Sequence, residues 1–202
     1  MNLAIISESP ADEAALHAFC QTYLGREFPL VPHRVEVRRG WTALRKDLPA
    51  ALQALRYYTP ATVILVVVDS DGSELHTNAP TNRLDELREI ARRCLMPKTA
   101  ADRKITCLLG LAVPCIEAWW LAHKNFQIGE ATWLARHSLP SLPYDKQTLK
   151  KDLYGSALDR KREVMISAAR ASAAHSDLLS ERFPIGLKPV LAELRMLSKN
   201  ED

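Results

Sequence analysis

Carboxylates follow a short apolar run in the middle of the chain, within residues 62–73. The run stops at Asp69, and Asp71 comes one residue later. A short valine-rich run bounded by turn residues predicts a strand buried on both faces of a parallel sheet. Two acids at the end of such a strand can face one ligand, and hard oxygen donors favour a divalent cation such as Mg²⁺. The alternative is an ordinary turn, because Asp and Gly are common turn residues.

Glu8 occupies a similar place near the start of the chain. Residues 3–7 predict a short apolar strand, and Ser9 with Pro10 predicts the N-cap and first position of a helix. Glu8 therefore matches Asp69 in position if the two strands are parallel. Asp12 falls in the first turn of the helix, where a capping role is the alternative to ligand binding.

A further acid, Glu117, follows a predicted strand at residues 104–111. It lies in a helical segment among tryptophan and other apolar residues. A carboxylate in such a neighbourhood is costly to bury unless it is paired or binds a metal. Helical spacing alone favours the alternative, in which Glu117 points outward.

The elements between these acids alternate between strand and helix. A further strand is predicted at 33–37, and helices are predicted at 41–58 and 84–96. In the first of these helices, Pro49 indicates either a kink or a late start with Asp47 as the N-cap. Such alternation predicts an α/β fold with a doubly wound, mainly parallel sheet. Three more helical stretches follow, at residues 145–154, 160–172 and 186–198. We therefore expect an α/β core at 1–125 and a helical C-terminal appendage at 126–202 that packs on it.

Composition indicates an ordinary globular protein. The 202 residues are 47% hydrophobic and 25% charged, with a formal net charge of +3. The chain has neither an apolar stretch of membrane-spanning length nor a secretory leader, so we expect no membrane association and a cytoplasmic location. The four cysteines form no CxxC pair and suit buried thiols better than zinc ligands or disulfides.

Basic residues cluster twice, before and within the helix at 41–58 and again after residue 145. Such clusters can contact phosphates, although solvated helix faces have the same composition. Five of these side chains are predicted to bind nucleic acid: Arg38, Arg39, Lys46, Lys150 and Lys151.

The order of the acidic segments resembles that of the Toprim domain, the catalytic core of topoisomerases, bacterial primases and the overcoming-lysogenization-defect nucleases. The matching segments are Glu8-Ser9-Pro10-Ala11-Asp12, Asp69-Ser70-Asp71 and Ile116-Glu117-Ala118-Trp119. The chain is most similar to small stand-alone bacterial Toprim-like proteins associated with phage defence. Ser9 departs from the family pattern, which usually has glycine there.

The resemblance implies a nuclease that hydrolyses phosphodiester bonds of DNA or RNA with Mg²⁺ or Mn²⁺, as two ions. It implies catalytic roles for Glu8, Asp69 and Asp71, and metal binding by these three together with Asp12 and Glu117. It implies no particular assisting lysine, and the basic stretch after residue 145 offers several. A homodimer is a further expectation, and a non-catalytic module that partners an ATPase is an alternative.

A second family shares the central motif. Residues 66–73, VVVDSDGS, are similar to the first motif of haloacid-dehalogenase-like phosphatases, in which the first Asp is a nucleophile and the second an acid/base. That family places the motif near its N-terminus and needs a later lysine and a later acidic pair. The motif here follows earlier elements, so the resemblance favours the nuclease.

Overall fold

The computed structural model describes residues 1–33, 40–76, 79–97, 102–139 and 141–199. Three strands form a parallel sheet in the order β1 (Leu3–Ile6), β2 (Val63–Asp69) and β3 (Thr106–Ala112). The register pairs Ile6 with Val66 and Asp69 with Ala112, so the strands end together at one edge of the sheet, here called the carboxyl edge. The predicted strand at 33–37 falls mainly on residues outside the described part of the chain.

Helices cover both faces of the sheet. They run as follows: α1 (Pro10–Leu24), α2 (Trp41–Tyr58), α3 (Arg83–Leu95), α4 (Ile116–Leu121), α5 (Glu130–Leu134), α6 (Lys146–Tyr154), α7 (Lys161–Ala173), α8 (Ser176–Arg182) and α9 (Lys188–Lys199). The fold is therefore α/β, as predicted. No helix in the described segments is both long and apolar enough to cross a membrane.

Strand β2 explains why the sheet is covered on both sides. Its side chains alternate between two apolar clusters, with Leu65 and Val67 facing α1 and the C-terminal helices, and Val66 and Val68 facing α2 and α3. A strand buried on both faces needs apolar residues at every position, and this one has them from Val63 to Val68.

Helix α2 runs without interruption from Trp41 through Pro49, so neither a late start nor Asp47 as its cap is correct. Proline provides no N–H for the carbonyl one turn earlier. The fully buried stripe of Leu44, Leu48 and Leu52 holds the helix against the sheet in spite of that missing bond.

The C-terminal helices belong to the same packed structure as the first part of the chain. Helix α7 packs along α1, and Phe183, next to α8, meets Trp119 edge-on at a centroid distance of 6.4 Å. The segment before α9 approaches β3 closely, since the N–H of Leu111 donates to the carbonyl of Gly186 at 3.2 Å. A side chain at Gly186 would place its Cβ 1.8 Å from the Leu111 carbonyl oxygen, so this approach requires glycine.

Candidate active site at the carboxyl edge of the sheet

Asp69 links the ends of all three strands. Its N–H donates to Glu8 Oε1 at 3.0 Å, and its own Oδ1 accepts from the N–H of Ile116, the first residue of α4, at 3.0 Å. The parallel register creates this arrangement, because residues that follow neighbouring strands must lie side by side. The structure therefore brings Glu8 and Asp69 together, as the sequence predicts.

A strained turn positions Asp71. This residue has a φ of 46°, in the left-handed region that non-glycine residues seldom adopt, and its N–H donates to the carbonyl of Pro114 at 3.0 Å. Asp71 is thereby fixed to the segment that leads into α4. Such strain is typical of functional loops.

Lys146 joins the two aspartates. Its Nζ lies 2.8 Å from Asp69 Oδ2 and 2.5 Å from Asp71 Oδ1. Arg83 adds a second cation, since its Nη1 donates to Asp71 Oδ2 at 2.9 Å and to the main-chain carbonyl of Asp69 at 2.6 Å. The central acidic pair is thus held by one ammonium and one guanidinium group.

Neither cation could be identified from the sequence. Lys146 is 77 residues from Asp69 and opens α6, behind the N-cap Asp145, so only the fold brings it to the sheet edge. The basic character of residues 146–162 was a signal that a cation of this region could reach the acids. It did not distinguish Lys146 from Lys150 or Lys151.

Glu117 lies deeper in the same edge. It is only 2% exposed, so the outward orientation favoured by helical spacing is wrong. The Tyr154 hydroxyl donates to Glu117 Oε1 at 2.9 Å, whereas the buried Glu117 Oε2 has no hydrogen-bond partner among the residues that the structure describes. Helix α6 thus supplies both the lysine at the central aspartates and the tyrosine at the deep glutamate.

Asp12 belongs electrostatically to this deep part of the site. Burial raises the pKa of Asp12 to about 6, against the hydrogen bond from Ser9, and the charges of Glu117 and Glu8 add to the rise. The Asp12 N–H also donates to Ser9 Oγ at 3.2 Å, so Ser9 caps α1 as predicted. Ser9 therefore has a definite structural role as the N-cap of α1.

The pKa values of Asp69, Glu8 and Asp71 shift in different directions because their neighbours differ. Burial raises the pKa of Asp69 to about 7, although Lys146 opposes the rise, and Glu8 increases it. Burial also raises the pKa of Glu8, partly offset by the hydrogen bond from the Asp69 N–H. Burial acts on Asp71 in the same direction, but its bonds to Lys146 and Arg83 outweigh it and lower the pKa of Asp71.

The donor chemistry of the deep part fits a divalent cation. Carboxylate oxygens are the donors that Mg²⁺ and Mn²⁺ prefer, and a buried carboxylate oxygen without a partner, Glu117 Oε2, is costly unless a cation or donor reaches it. In the described ranges, however, no three His, Cys, Asp or Glu side chains already converge well enough to hold an ion. Binding therefore requires side-chain rearrangement around Glu8, Asp12 and Glu117.

The cysteines take no part as thiolates. Cys115, the residue before α4, is fully buried, and burial together with the charge of Glu117 raises the pKa of its thiol. Cys20 is also buried, Cys94 and Cys107 are partly exposed, and all four are free thiols. Burial was expected of all four thiols, and it holds for Cys20 and Cys115 but only partly for Cys94 and Cys107.

The predicted nucleic-acid-binding residues separate into three groups. Arg38 and Arg39 lie outside the described residues. Lys46 lines a cavity that reaches Asp71. Lys150 and Lys151 lie on α6, where neither forms an ion pair with a described acid.

Comparison with known proteins gives no assignment. No protein-family model matches the chain, and neither the curated proteins nor the solved structures include a match.

Proposed function

We propose that this protein hydrolyses phosphodiester bonds of nucleic acid with the help of a divalent cation, in the manner of Toprim-like nucleases. The observation that carries the proposal is Lys146 Nζ bridging Asp69 and Asp71 at the edge where Glu8 and Glu117 also converge. Acids and cations crowded at the carboxyl ends of parallel strands are what a phosphoryl-transfer site requires.

Glu8, Asp12 and Glu117 would hold the cation. Bound there, a divalent ion would lower the pKa of a coordinated water and neutralise charge on the phosphate. The central aspartates already have Lys146 and Arg83 as counter-charges, so the geometry supports one ion in the deep part more directly than two. The second predicted ion stays a prediction.

Charge stabilisation and proton transfer would come from side chains of the protein. Lys146 and Arg83 would stabilise the negative charge that grows on the phosphate oxygens as the bond breaks. In the alternative role for Glu8, in which it does not bind the cation, Glu8 would accept the proton of the attacking water, and burial raises its pKa in the direction that strengthens a base. Asp69 would hold Lys146 and Ile116 in place on either side of its carboxylate.

The contact of Lys146 with Asp69 also favours a second candidate. Haloacid-dehalogenase-like phosphatases need a later lysine beside the nucleophilic aspartate, and Lys146 satisfies that requirement at 2.8 Å. In this alternative Asp69 would attack a phosphomonoester and Asp71 would be the acid/base. Asp71 is paired with two cations, which lower its pKa and make it a poor proton donor, so the nuclease remains the better proposal.

The experiment compares wild-type protein with Asp69→Asn on supercoiled plasmid, linear DNA and tRNA, in Mg²⁺ or Mn²⁺ and in EDTA. The matched control is Asp177→Asn, because the Asp177 carboxyl is 96% exposed on α8. We expect metal-dependent cleavage by wild type and by the control. Asp69→Asn should lose about 100-fold or more, because Lys146 and the start of α4 would no longer be held in place. A small phosphomonoester substrate is assayed in parallel.

Cleavage that survives in Asp69→Asn would contradict the site assignment. Hydrolysis of the phosphomonoester without cleavage of any polynucleotide would replace the nuclease with the phosphatase.

A further inference from the structure

Two cavities lie on the α2 side of the site, and Asp71 lines the first of them. One, of about 470 Å³, is lined by Gly40, Trp41, Lys46 and Asp71, and the other, of about 410 Å³, by Trp41 and Ser73 among others. Trp41 and Arg83 line both cavities. We call the combined feature the α2 groove, and the residues that matter for its charge and access are Gly40, Trp41, Thr42, Lys46, Ser73 and Arg83. Two carboxylates also line it, and each is paired with a cation of the same lining: Asp71 with Arg83, and Glu86 with Arg45.

The N-terminus of α2 gives the groove a positive end. Helix α2 has 18 residues, no acid in its first turn and no side-chain cap, and the main-chain N–H groups of Trp41, Thr42 and Ala43 have no acceptor among the described residues. Free N–H groups and the helix dipole together attract anions. Gly40, at φ 81°, lines the cavity with no side chain, so a ligand can approach the main chain here.

Two basic side chains add to this charge. Lys46 is exposed and forms no ion pair in the described part of the chain. Arg83 uses Nη1 for Asp69 and Asp71, and its other guanidinium N–H groups have no hydrogen-bond partner among the described residues. The same guanidinium lies over the Trp41 ring at 5.1 Å, which fixes its position in the groove.

A buried hydroxyl provides an independent indication of a ligand. Ser73 is only 7% exposed and lines the second of the two cavities, and in the described part of the chain its Oγ has no hydrogen-bond partner. A buried polar atom without a partner costs free energy unless something supplies the missing bond. A phosphate oxygen entering the groove would supply an acceptor for this hydroxyl.

We propose that the α2 groove binds a backbone phosphate of a polynucleotide, adjacent to the phosphate that is cleaved at Asp69 and Asp71. The inference rests on the proposed function for the identity of the polymer. The N–H groups of the first turn of α2, which no described acceptor occupies, hold the phosphate together with Lys46 and Arg83. The groove continues past Trp41 for the neighbouring part of the strand. A single phosphate fills only part of two cavities that share Trp41 and Arg83, so a polymer fits better than a free nucleotide.

The test measures binding without cleavage. Fluorescence anisotropy of a labelled single-stranded DNA 12-mer is followed in EDTA at several salt concentrations, for wild type, Lys46→Glu, Lys46→Ala and Ser73→Ala. The matched control is Lys104→Glu, an exposed lysine just before β3 at the opposite edge of the sheet. Unlabelled nucleoside monophosphate and inorganic phosphate serve as competitors.

We expect Lys46→Glu to weaken binding about 10-fold or more and Lys104→Glu to change it less than about twofold, because of these two lysines only Lys46 lines the groove. Lys46→Ala should reduce the slope of log K against log salt by about 0.7, the value for one lost phosphate contact on a single strand. Ser73→Ala should weaken binding without changing that slope.

Equal effects of Lys46→Glu and Lys104→Glu would overturn the proposal, because general charge would then explain them. Competition by the monophosphate or by inorganic phosphate at the concentration of the 12-mer would overturn the choice of a polymer. Failure of the proposed function would give a separate result. Binding in EDTA would still depend on Lys46, but neither the wild-type protein nor any variant would cleave nucleic acid.

Discussion

At the scale of single residues, Lys146 decides how the acidic edge is charged. It contacts both aspartates, and although burial alone would lower the pKa of Lys146, these contacts raise it, so the side chain stays an ammonium group at neutral pH. Without it, two carboxylates would face each other with only Arg83 nearby. We expect Lys146→Met to reduce cleavage by about 100-fold or more, since charge stabilisation of the phosphate would be lost.

The measurement is the single-turnover cleavage rate, with Lys104→Met as the control for loss of one exposed lysine. Lys146→Arg should restore part of the rate, because a guanidinium keeps the charge but not the point-like geometry of an ammonium. A Lys146→Met rate equal to that of the control would exclude Lys146 from the reaction.

Glu117 has one buried carboxylate oxygen that no hydrogen-bond donor reaches in the described part of the chain. The unpartnered oxygen is Oε2, whereas Oε1 accepts from the Tyr154 hydroxyl. Glu117→Gln keeps an acceptor for Tyr154 and removes the buried charge, so in EDTA we expect the variant to unfold at a higher temperature than wild type. Mn²⁺ should then stabilise wild type by about 2.7 kcal/mol at 100 times its Kd, and the variant much less.

Thermal unfolding with and without Mn²⁺ measures both effects. Asp177→Asn is again the control, since it removes an exposed carboxylate from α8. A Mn²⁺-induced shift of equal size in wild type and Glu117→Gln would show that the ion binds elsewhere.

At the scale of secondary-structure elements, the sequence predicts those features that the spacing of apolar residues determines. The strands, the helices α1 to α3 and the placement of Glu8 and Asp69 follow from apolar runs, caps and parallel pairing. The orientation of Glu117 does not, because α4 is buried on all sides and the outward face assumed from helical spacing does not exist. Lys146, Arg83 and Tyr154 join the site through tertiary packing over long sequence separations, which no local pattern encodes.

A single buried carboxylate, Glu130, connects helix α5 to the segment that precedes α9. It begins α5, is fully buried, and accepts hydrogen bonds from the N–H groups of Ile185 at 2.7 Å and Gly186 at 2.8 Å. These bonds hold the segment that lies against β3. Burial raises the pKa of Glu130 to about 7, although both N–H groups oppose the rise.

This raised pKa makes stability depend on pH. Between about pH 4.5 and 7 the folded chain keeps a proton on Glu130 that the unfolded chain releases, so its contribution to stability is full below pH 4.5 and is lost as pH rises through 7. In Glu130→Gln that contribution is absent. We therefore expect the free energy of unfolding of wild type minus that of Glu130→Gln to fall across this window, by at most about 1.4 kcal/mol per pH unit.

Urea unfolding at pH 4.5, 5.5, 6.5 and 7.5 gives these differences. Glu181→Gln, an exposed glutamate on α8, should show no such trend relative to wild type. A wild-type minus Glu130→Gln difference that is constant with pH would contradict the raised pKa.

At the scale of the whole molecule, the boundary near residue 125 predicted from composition does not separate the chemistry of the chain. Residues 126–202 provide Lys146 and Tyr154 to the site. They also cover the apolar surface of the first part, where Ser172 Oγ donates to the carbonyl of Trp120 at 3.0 Å and Phe183 packs on Trp119.

We therefore expect a fragment of residues 1–125 to lack a cooperative fold. Removing the C-terminal helices would expose Trp119 and Trp120, which are now at most 1% exposed, and apolar burial on this scale is what stabilises a small domain. Near-UV circular dichroism, urea unfolding and binding of a hydrophobic dye are compared with those of a chain ending at residue 199, which keeps every described contact. A fragment that unfolds cooperatively and excludes the dye would show that residues 126–202 are not needed for the stability of the first part. Even then the fragment should not cleave nucleic acid, because it lacks Lys146.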